Sequence, residues 1–417
     1  MLFRSVVASM IGTGVFTTTG FLLADLKSGL WVVLVWLVGG VVAACGALCY
    51  GALAGHIPES GGEYVLLSRT LHPAAGYLAG WISLLAGFCA PLASAAIAFG
   101  VYASPFLPQR FPPSLWGLAV LAATALLHMS SDRRGTRIHS WMVAVVLVLI
   151  VCLAVFGLAH PQVPLAPVSS TPLPVSGFAV ALVLVSYSYA GWNGGAYIAG
   201  EVRNPQVTLP RALLLGTAFT TVVYVALNLA FVRSAPMAML AGKLQVGQIA
   251  AQQWGGPGLA ALVSAVVATA LAASVSALTL TGPRIIARMS QDGYLPRFLA
   301  PPPGGAPRAA IVAMFLLSAA LAATATYKHL LTYIGVLLGL CNAATVVGLL
   351  RLRRRNPDLH VPGWPLVPAV FLLLVAWMIA LTLYRQPAEA LVGGLTLVLG
   401  WAAYQWQTRR GSHTTRS

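Results

Sequence analysis

Charge is what this sequence has least of, and acid least of all. Asp, Glu, Lys and Arg make up 8% of its 417 residues, whereas a soluble globular chain carries about 25%. With 59% hydrophobic residues, a chain of this length cannot cover its own surface with polar groups, which excludes a water-soluble protein. Eight acids against 24 bases would point to nucleic acid in a soluble chain; in a membrane protein the bases mark one side instead, and no nucleic acid is expected. Cysteine is scarce too. The five copies, Cys45, Cys49, Cys89, Cys152 and Cys341, all fall in apolar stretches, which argues against a disulfide framework. No His, Cys, Asp or Glu cluster has metal-ligand spacing, so neither a metal nor a cofactor is expected and an embedded enzyme has no chemistry to stand on. A channel's charged ring and a receptor's soluble output domain are missing as well.

What the sequence has in quantity is apolar length. A bilayer-crossing helix needs about 20 mostly apolar residues. Twelve segments qualify: 2–24, 30–54, 74–103, 115–130, 138–159, 177–199, 209–232, 257–285, 309–326, 329–350, 364–384 and 388–407. No connection is long enough for a soluble domain, so the function lies in the spans. With a cytoplasmic N-terminus, 18 of the 24 Lys and Arg residues fall on the cytoplasmic side, in connections or at span ends, and six outside, the bias of the positive-inside rule. The run RLRRR at 351–355 is an anchor of that kind, open to anionic lipid. The expected setting is an inner (plasma) membrane, crossed many times, with both termini cytoplasmic. Residues 1–4 do not read as a cleavable signal.

Two segments carry flaws. SMIGTGVF, residues 9–16, sets Gly12, Thr13 and Gly14 in the middle of the first. The sixth has Ala190, Gly191, Gly194 and Gly195 around Trp192 and Asn193. Irregular backbone at membrane depth survives only where it is buried in protein or lines a cavity. Two interrupted segments at matching places, five spans apart, point to a secondary transporter built from inverted repeats. A broken helix suits a zwitterion: N–H groups and the positive dipole end attract a carboxylate, while exposed carbonyls accept from an ammonium. Thr13 and Gly14 are the expected carboxylate donors, with Gly12 giving close backbone approach. The carbonyls of Met10, Ile11, Tyr187 and Ala190 are the expected amine acceptors. Glycines that merely let helices pack closely are the alternative for either flaw alone.

These residues resemble a known family. SMIGTGVF is similar to the first-helix signature of the amino acid–polyamine–organocation superfamily. The stretch from Tyr189 to Leu213, YAGWN…GEVRNPQVTLPRAL, resembles the sixth-helix signature of its L-type amino acid transporter branch. PESGGEY (58–64) and SVSALTLTGPRIIARMSQDGYLP (274–296) resemble the connections after the second and eighth spans. The resemblance covers essentially the whole chain and implies an all-α integral membrane protein of about twelve helices. Ten would form a 5+5 inverted repeat, residues 1–159 and 177–350, with broken helices one and six; 364–407 would add two peripheral helices and 408–417 a cytoplasmic tail. It also implies alternating access around an amino acid site, often with exchange. Tyr187 falls at the aromatic gate, next to Ser188, and Trp192 and Asn193 beside the unwound segment. Glu201 matches an acid closing the cytoplasmic half of that helix, although its neighbour Arg203 also suits it to a cap or ion pair.

Three features depart from the family pattern. Val146 stands about where many relatives place a coupling lysine in the fifth helix. A sodium site would need hydroxyls on the eighth helix, which Ser274 and Ser276 could supply, though serines there also bond back to the backbone. Residues 104–114 lack a cysteine, so no disulfide-linked heavy chain is expected. No charge lies near either flaw in the sequence, which favours a neutral L-amino acid as substrate. Exchange or uncoupled flux is the first expectation, and proton- or sodium-coupled symport the second.

Overall fold

A computed structural model describes residues 2–12, 14–129, 135–160, 163–164, 175–301 and 306–414, of which 135–143, 288 and 409–414 as backbone only. All regular structure among the described residues is helical. Each apolar segment read from the sequence contains helix among the described residues, interrupted in the first and the sixth. Six stand alone as long apolar helices, including Gly29–His56, Pro205–Val232, Tyr327–Arg355 and Leu366–Arg385, and Pro73–Phe106 makes a seventh. The first segment is a bent pair, turning by 53° between Leu2–Thr17 and Thr19–Leu26; Pro113–Met129, Ala144–Ala159, Val175–Ser188 and Arg308–Thr324 are shorter apolar helices. The eighth segment continues beyond its expected start, since Val246–Gln291 includes an added stretch before a kink at Gly255 and Gly256.

Burial explains why such a chain is stable only in a membrane. The second helix places Val32, Val35 and Trp36 fully inside. Leu126, Val222, Leu373 and Leu391, by contrast, are all more than 65% exposed, a cost in water of about 1.5–3 kcal/mol for each side chain so placed and none in lipid. Helices Gly29–His56 and Pro205–Val232 lie along one another. A Cβ at Gly51 would sit 2.5 Å from the Cα of Pro210, so glycine sets their separation, as small residues do between membrane helices.

Polar contacts sort the connections onto two ends. At one end Lys328 pairs with Asp25 at 2.7 Å, and Arg385 donates to Ser176. At the other, Arg351 donates to the Leu71 carbonyl and Arg308 to that of Met129. Each contact joins connections that the alternation of spans puts on the same side. Two further elements shape the interior: a π-helical stretch Ser83–Cys89 within the third segment, and a helix Gly62–Thr70 between the second and third. A π-stretch inside a helix is often found at functional sites.

Candidate substrate site

The first helix stops at Met10 and resumes at Gly14. Thr13 lies outside the described residues. A break leaves carbonyls and N–H groups without helical partners, and the seventh helix supplies one: the fully buried Tyr224 donates its hydroxyl to the Met10 carbonyl at 2.8 Å and accepts from the Gly12 N–H at 3.4 Å. Beyond the break, the hydroxyls of Thr17 and Thr18 both donate to the Gly14 carbonyl, at 3.1 and 2.8 Å. The Thr17 hydroxyl also meets that of Tyr327 at 2.6 Å. Tyr327 stacks on Phe21, 5.9 Å between ring centres.

The sixth segment is α-helical over Val175–Ser188, turns through residues 189–193, and continues as the 3₁₀-helix Gly194–Glu201. A second α-helical half was expected from the sequence; the adjacent glycines 194 and 195 weaken it, and Ile198 leaves helical geometry altogether, at φ −117° and ψ 19°. Tyr189 fixes the turn by donating to the Trp36 carbonyl at 2.9 Å. The Tyr187 carbonyl accepts from the Ala190 N–H at 3.0 Å. Two of the expected amine acceptors, Met10 and Tyr187, therefore already hold one hydrogen bond each, leaving each carbonyl one lone pair for a ligand.

The two breaks touch. A Cβ on Gly14 would lie 2.9 Å from the Ser188 Oγ and 3.1 Å from its Cα. The Thr18 and Ser188 hydroxyls are 3.0 Å apart. Ser9 donates to the Gly191 carbonyl at 2.9 Å. Gly191 has φ +101°, and a Cβ there would meet the Ser9 carbonyl oxygen at 2.2 Å; only glycine fits.

A cavity of about 220 Å³ opens beside the sixth segment, lined by Tyr187, Ala190, Trp192 and Asn193 together with Ser83, Gly87 and Phe88 of the π-helical stretch and Asn342 of the tenth segment. Trp192 is held edge-on by Tyr50 and Phe371, at 4.9 and 6.2 Å between ring centres, and the Tyr187 hydroxyl lies 3.1 Å from that of Ser94. The first break lies outside this lining. Of the residues singled out in the sequence, Gly14 and Ser188 form the contact between breaks, Met10 and Gly12 are held by Tyr224, and Tyr187, Ala190, Trp192 and Asn193 face the cavity. Ile11 is buried at the break itself. Ser276 is turned to the fourth segment, 2.8 Å from His128 Nε2; Ser274 is half-buried on the same helix, and Glu201 is exposed at the end of the 3₁₀-helix. Val146 is buried among apolar neighbours.

One reading from the sequence is overturned: a charge does lie at a break. Glu63, 4% exposed, accepts from Asn193 Nδ2 at 2.5 Å through Oε1 and from the Tyr197 hydroxyl through Oε2, and it lines the cavity. In the sequence it sits in a connection, remote from both flaws. The signal was the pair Gly61–Gly62, whose φ of +139° and +59° turns the chain back so that the next residue enters the bundle. Tyr224 and Tyr327 were missed as well: an aromatic within an apolar segment, as Tyr224 is, reads as core, and Tyr327 falls in the short connection between the ninth and tenth segments.

The amino acid permease family model matches residues 2–399. Among curated proteins the chain is 29% identical to the large neutral amino acids transporter small subunit 2 of Rattus norvegicus, over 96% of this chain and 78% of that one. It is 28% identical to the Asc-type amino acid transporter 1 of Mus musculus, over 95% and 78%, and 27% identical to the cystine/glutamate transporter of Pongo abelii, over 96% and 82%.

Proposed function

The chain belongs to the amino acid permease family, and from that premise we propose that it carries neutral L-amino acids across the membrane by alternating access, in exchange or as uncoupled flux. The observation that carries this reading is the contact of the two breaks, Gly14 against Ser188 and Ser9 against Gly191. Backbone N–H groups at the start of Gly14–Thr17 receive the carboxylate, with Thr13 and Gly14 as donors. The ammonium is received by the carbonyls of Ile11 and Ala190 and by the second lone pairs of Met10 and Tyr187. The side chain extends past Tyr187 toward the cavity, whose wall combines apolar groups such as Val42 and Phe88 with Glu63; the two Glu63 oxygens are taken up by Asn193 and Tyr197, which leaves the apolar wall to receive a neutral side chain. The names of the relatives, two of them transporters of neutral or Asc-type amino acids, support the class.

The working arrangement is a twelve-span bundle of two inverted five-helix repeats with two peripheral helices. The end carrying Arg308 and Arg351 faces the cytoplasm with both termini, and the Asp25–Lys328 end faces outward. Ser274 and Ser276 are poor sodium ligands in this scheme, since the latter already bonds His128. No disulfide-linked partner is needed.

Proteoliposomes loaded with or without an unlabelled neutral amino acid separate the modes. Exchange predicts that internal substrate accelerates uptake of labelled leucine or alanine, and uncoupled flux predicts uptake down a concentration gradient alone. Uptake that ignores internal substrate and follows a sodium gradient instead would sink the reading.

A further inference from the structure

The cavity beside the sixth segment reaches a helix that the scheme above leaves outside both repeats. Phe371, Val375, Met378 and Ile379 of the eleventh segment all line it, and all four are buried. Their spacing of three and four residues sets them on one stripe of the helix Leu366–Arg385. The opposite face points out of the bundle, with Leu373 70% exposed. The stripe offers the cavity only apolar side chains. Polar lining groups belong to other elements and are already engaged: Glu63 accepts from Asn193 and Tyr197, and Asn342 of the tenth segment accepts from the Tyr50 hydroxyl at 2.8 Å.

Glycine decides how far the cavity extends. Five glycines line it, and three of them are needed for packing. A Cβ at Gly39 or Gly335 would lie 2.6 Å from a methyl of Val185 or Val183, and one at Gly191 would lie 2.2 Å from the Ser9 carbonyl oxygen. Gly87 and Gly339 are different. A Cβ at Gly87 would meet only the Ser83 Cβ, at 3.6 Å, and one at Gly339 would meet Ile379 Cδ1 at 3.5 Å and Val375 Cγ1 at 3.8 Å. These are ordinary contact distances, so a side chain at 339 would fit and would fill the space between the tenth and eleventh segments. Its lack leaves that space to the cavity. The volume, about 220 Å³, is several times the roughly 30 Å³ share of one water molecule. An alanine methyl leaves most of it unfilled, whereas a longer apolar side chain takes its surface out of water against the stripe, which is favourable.

We infer that the eleventh segment is a specificity-determining element: Val375, Met378 and Ile379 form a wall of the side-chain pocket and limit the size of the side chain accepted, and Gly339 is the opening through which that wall is reached. The pocket so built favours a larger apolar side chain, such as that of leucine, over the methyl of alanine. This rests on the transport reading above, because the charged ends of the substrate must be held at the breaks for its side chain to enter the cavity.

The test is uptake of labelled alanine, leucine and tryptophan into proteoliposomes of the full chain, read as ratios of kcat/KM within each variant, which do not depend on how much protein is active. The wild type is expected to favour leucine over alanine. Gly339→Leu fills the opening and is expected to lower the leucine-to-alanine ratio at least tenfold, since one methylene in an apolar pocket is worth about ten- to 200-fold. Met378→Ala deepens the pocket and is expected to raise the tryptophan-to-leucine ratio about tenfold; it decides the matter if Gly339→Leu does not fold. Leu373→Ala, on the outward face of the same helix, is expected to keep both wild-type ratios. Alanine favoured over leucine in the wild type, an unmoved leucine-to-alanine ratio in folded Gly339→Leu, an unmoved tryptophan-to-leucine ratio in Met378→Ala, or an equal shift in Leu373→Ala overturns the inference and leaves the transport reading intact. Failure of the wild type to take up any of the three amino acids overturns the transport reading itself.

Discussion

Gly12 and Gly14 stand two residues apart at the first break and answer to different constraints. A Cβ on Gly12 would meet nothing closer than the Met10 carbonyl oxygen at 4.0 Å, whereas one on Gly14 presses on Ser188. Gly12→Ala is therefore expected to keep the thermal unfolding midpoint of the wild type and to weaken the apparent affinity for substrate, because the methyl occupies space the ligand needs. Gly14→Ala is expected to cost about 1–3 kcal/mol of stability, as overpacking does, and Gly14→Val to abolish uptake. Equal losses of stability in Gly12→Ala and Gly14→Ala would contradict the assignment. The glycines themselves were legible in the sequence. Glu63 was not, because the element that carries it is a connection, and only the fold brings a connection under the sixth segment.

Each break survives through elements that lie far away in the chain. The first depends on the seventh helix: Tyr224 holds both the Met10 carbonyl and the Gly12 N–H. Tyr224→Phe leaves a buried carbonyl without its donor and is expected to destabilise the protein by about 1–3 kcal/mol, read as a lower unfolding temperature together with slower transport. An unchanged unfolding temperature would remove the hydroxyl from the account. The sixth segment depends on Ser9 and on Gly191, whose positive φ and contact with the first segment make Gly191→Ala a disruptive change, read as loss of the folded monodisperse protein. Both interruptions could be placed from their glycines, since glycine weakens a helix wherever it stands. The kind of structure after each could not. Whether a glycine-rich stretch resumes as α or as 3₁₀ is decided by neighbours, here Glu63 and Ser9, that no local pattern records.

At the scale of the molecule, apolar length gave every segment, because helices that face lipid on one side and each other on the other are apolar all round. Composition said nothing of the cavity, which arises where the π-helical stretch, the sixth and the tenth segments fail to close. One end of the bundle is drawn together by Asp25 and Lys328, whose side chains are 23% and 28% exposed. A double-mutant cycle on this pair is expected to give a coupling of about 1 kcal/mol or less, reduced by salt; a coupling indifferent to salt would contradict a water-accessible pair at that end. The central claim is that the two breaks jointly receive the charged ends of one zwitterion. Competition against labelled leucine uptake in proteoliposomes tests it most directly, with leucine, isoamylamine (which lacks the carboxylate) and 4-methylpentanoate (which lacks the amine) as competitors. The account predicts that leucine competes and neither truncated compound does at the same concentration. Competition by either one as strong as that of leucine would contradict it.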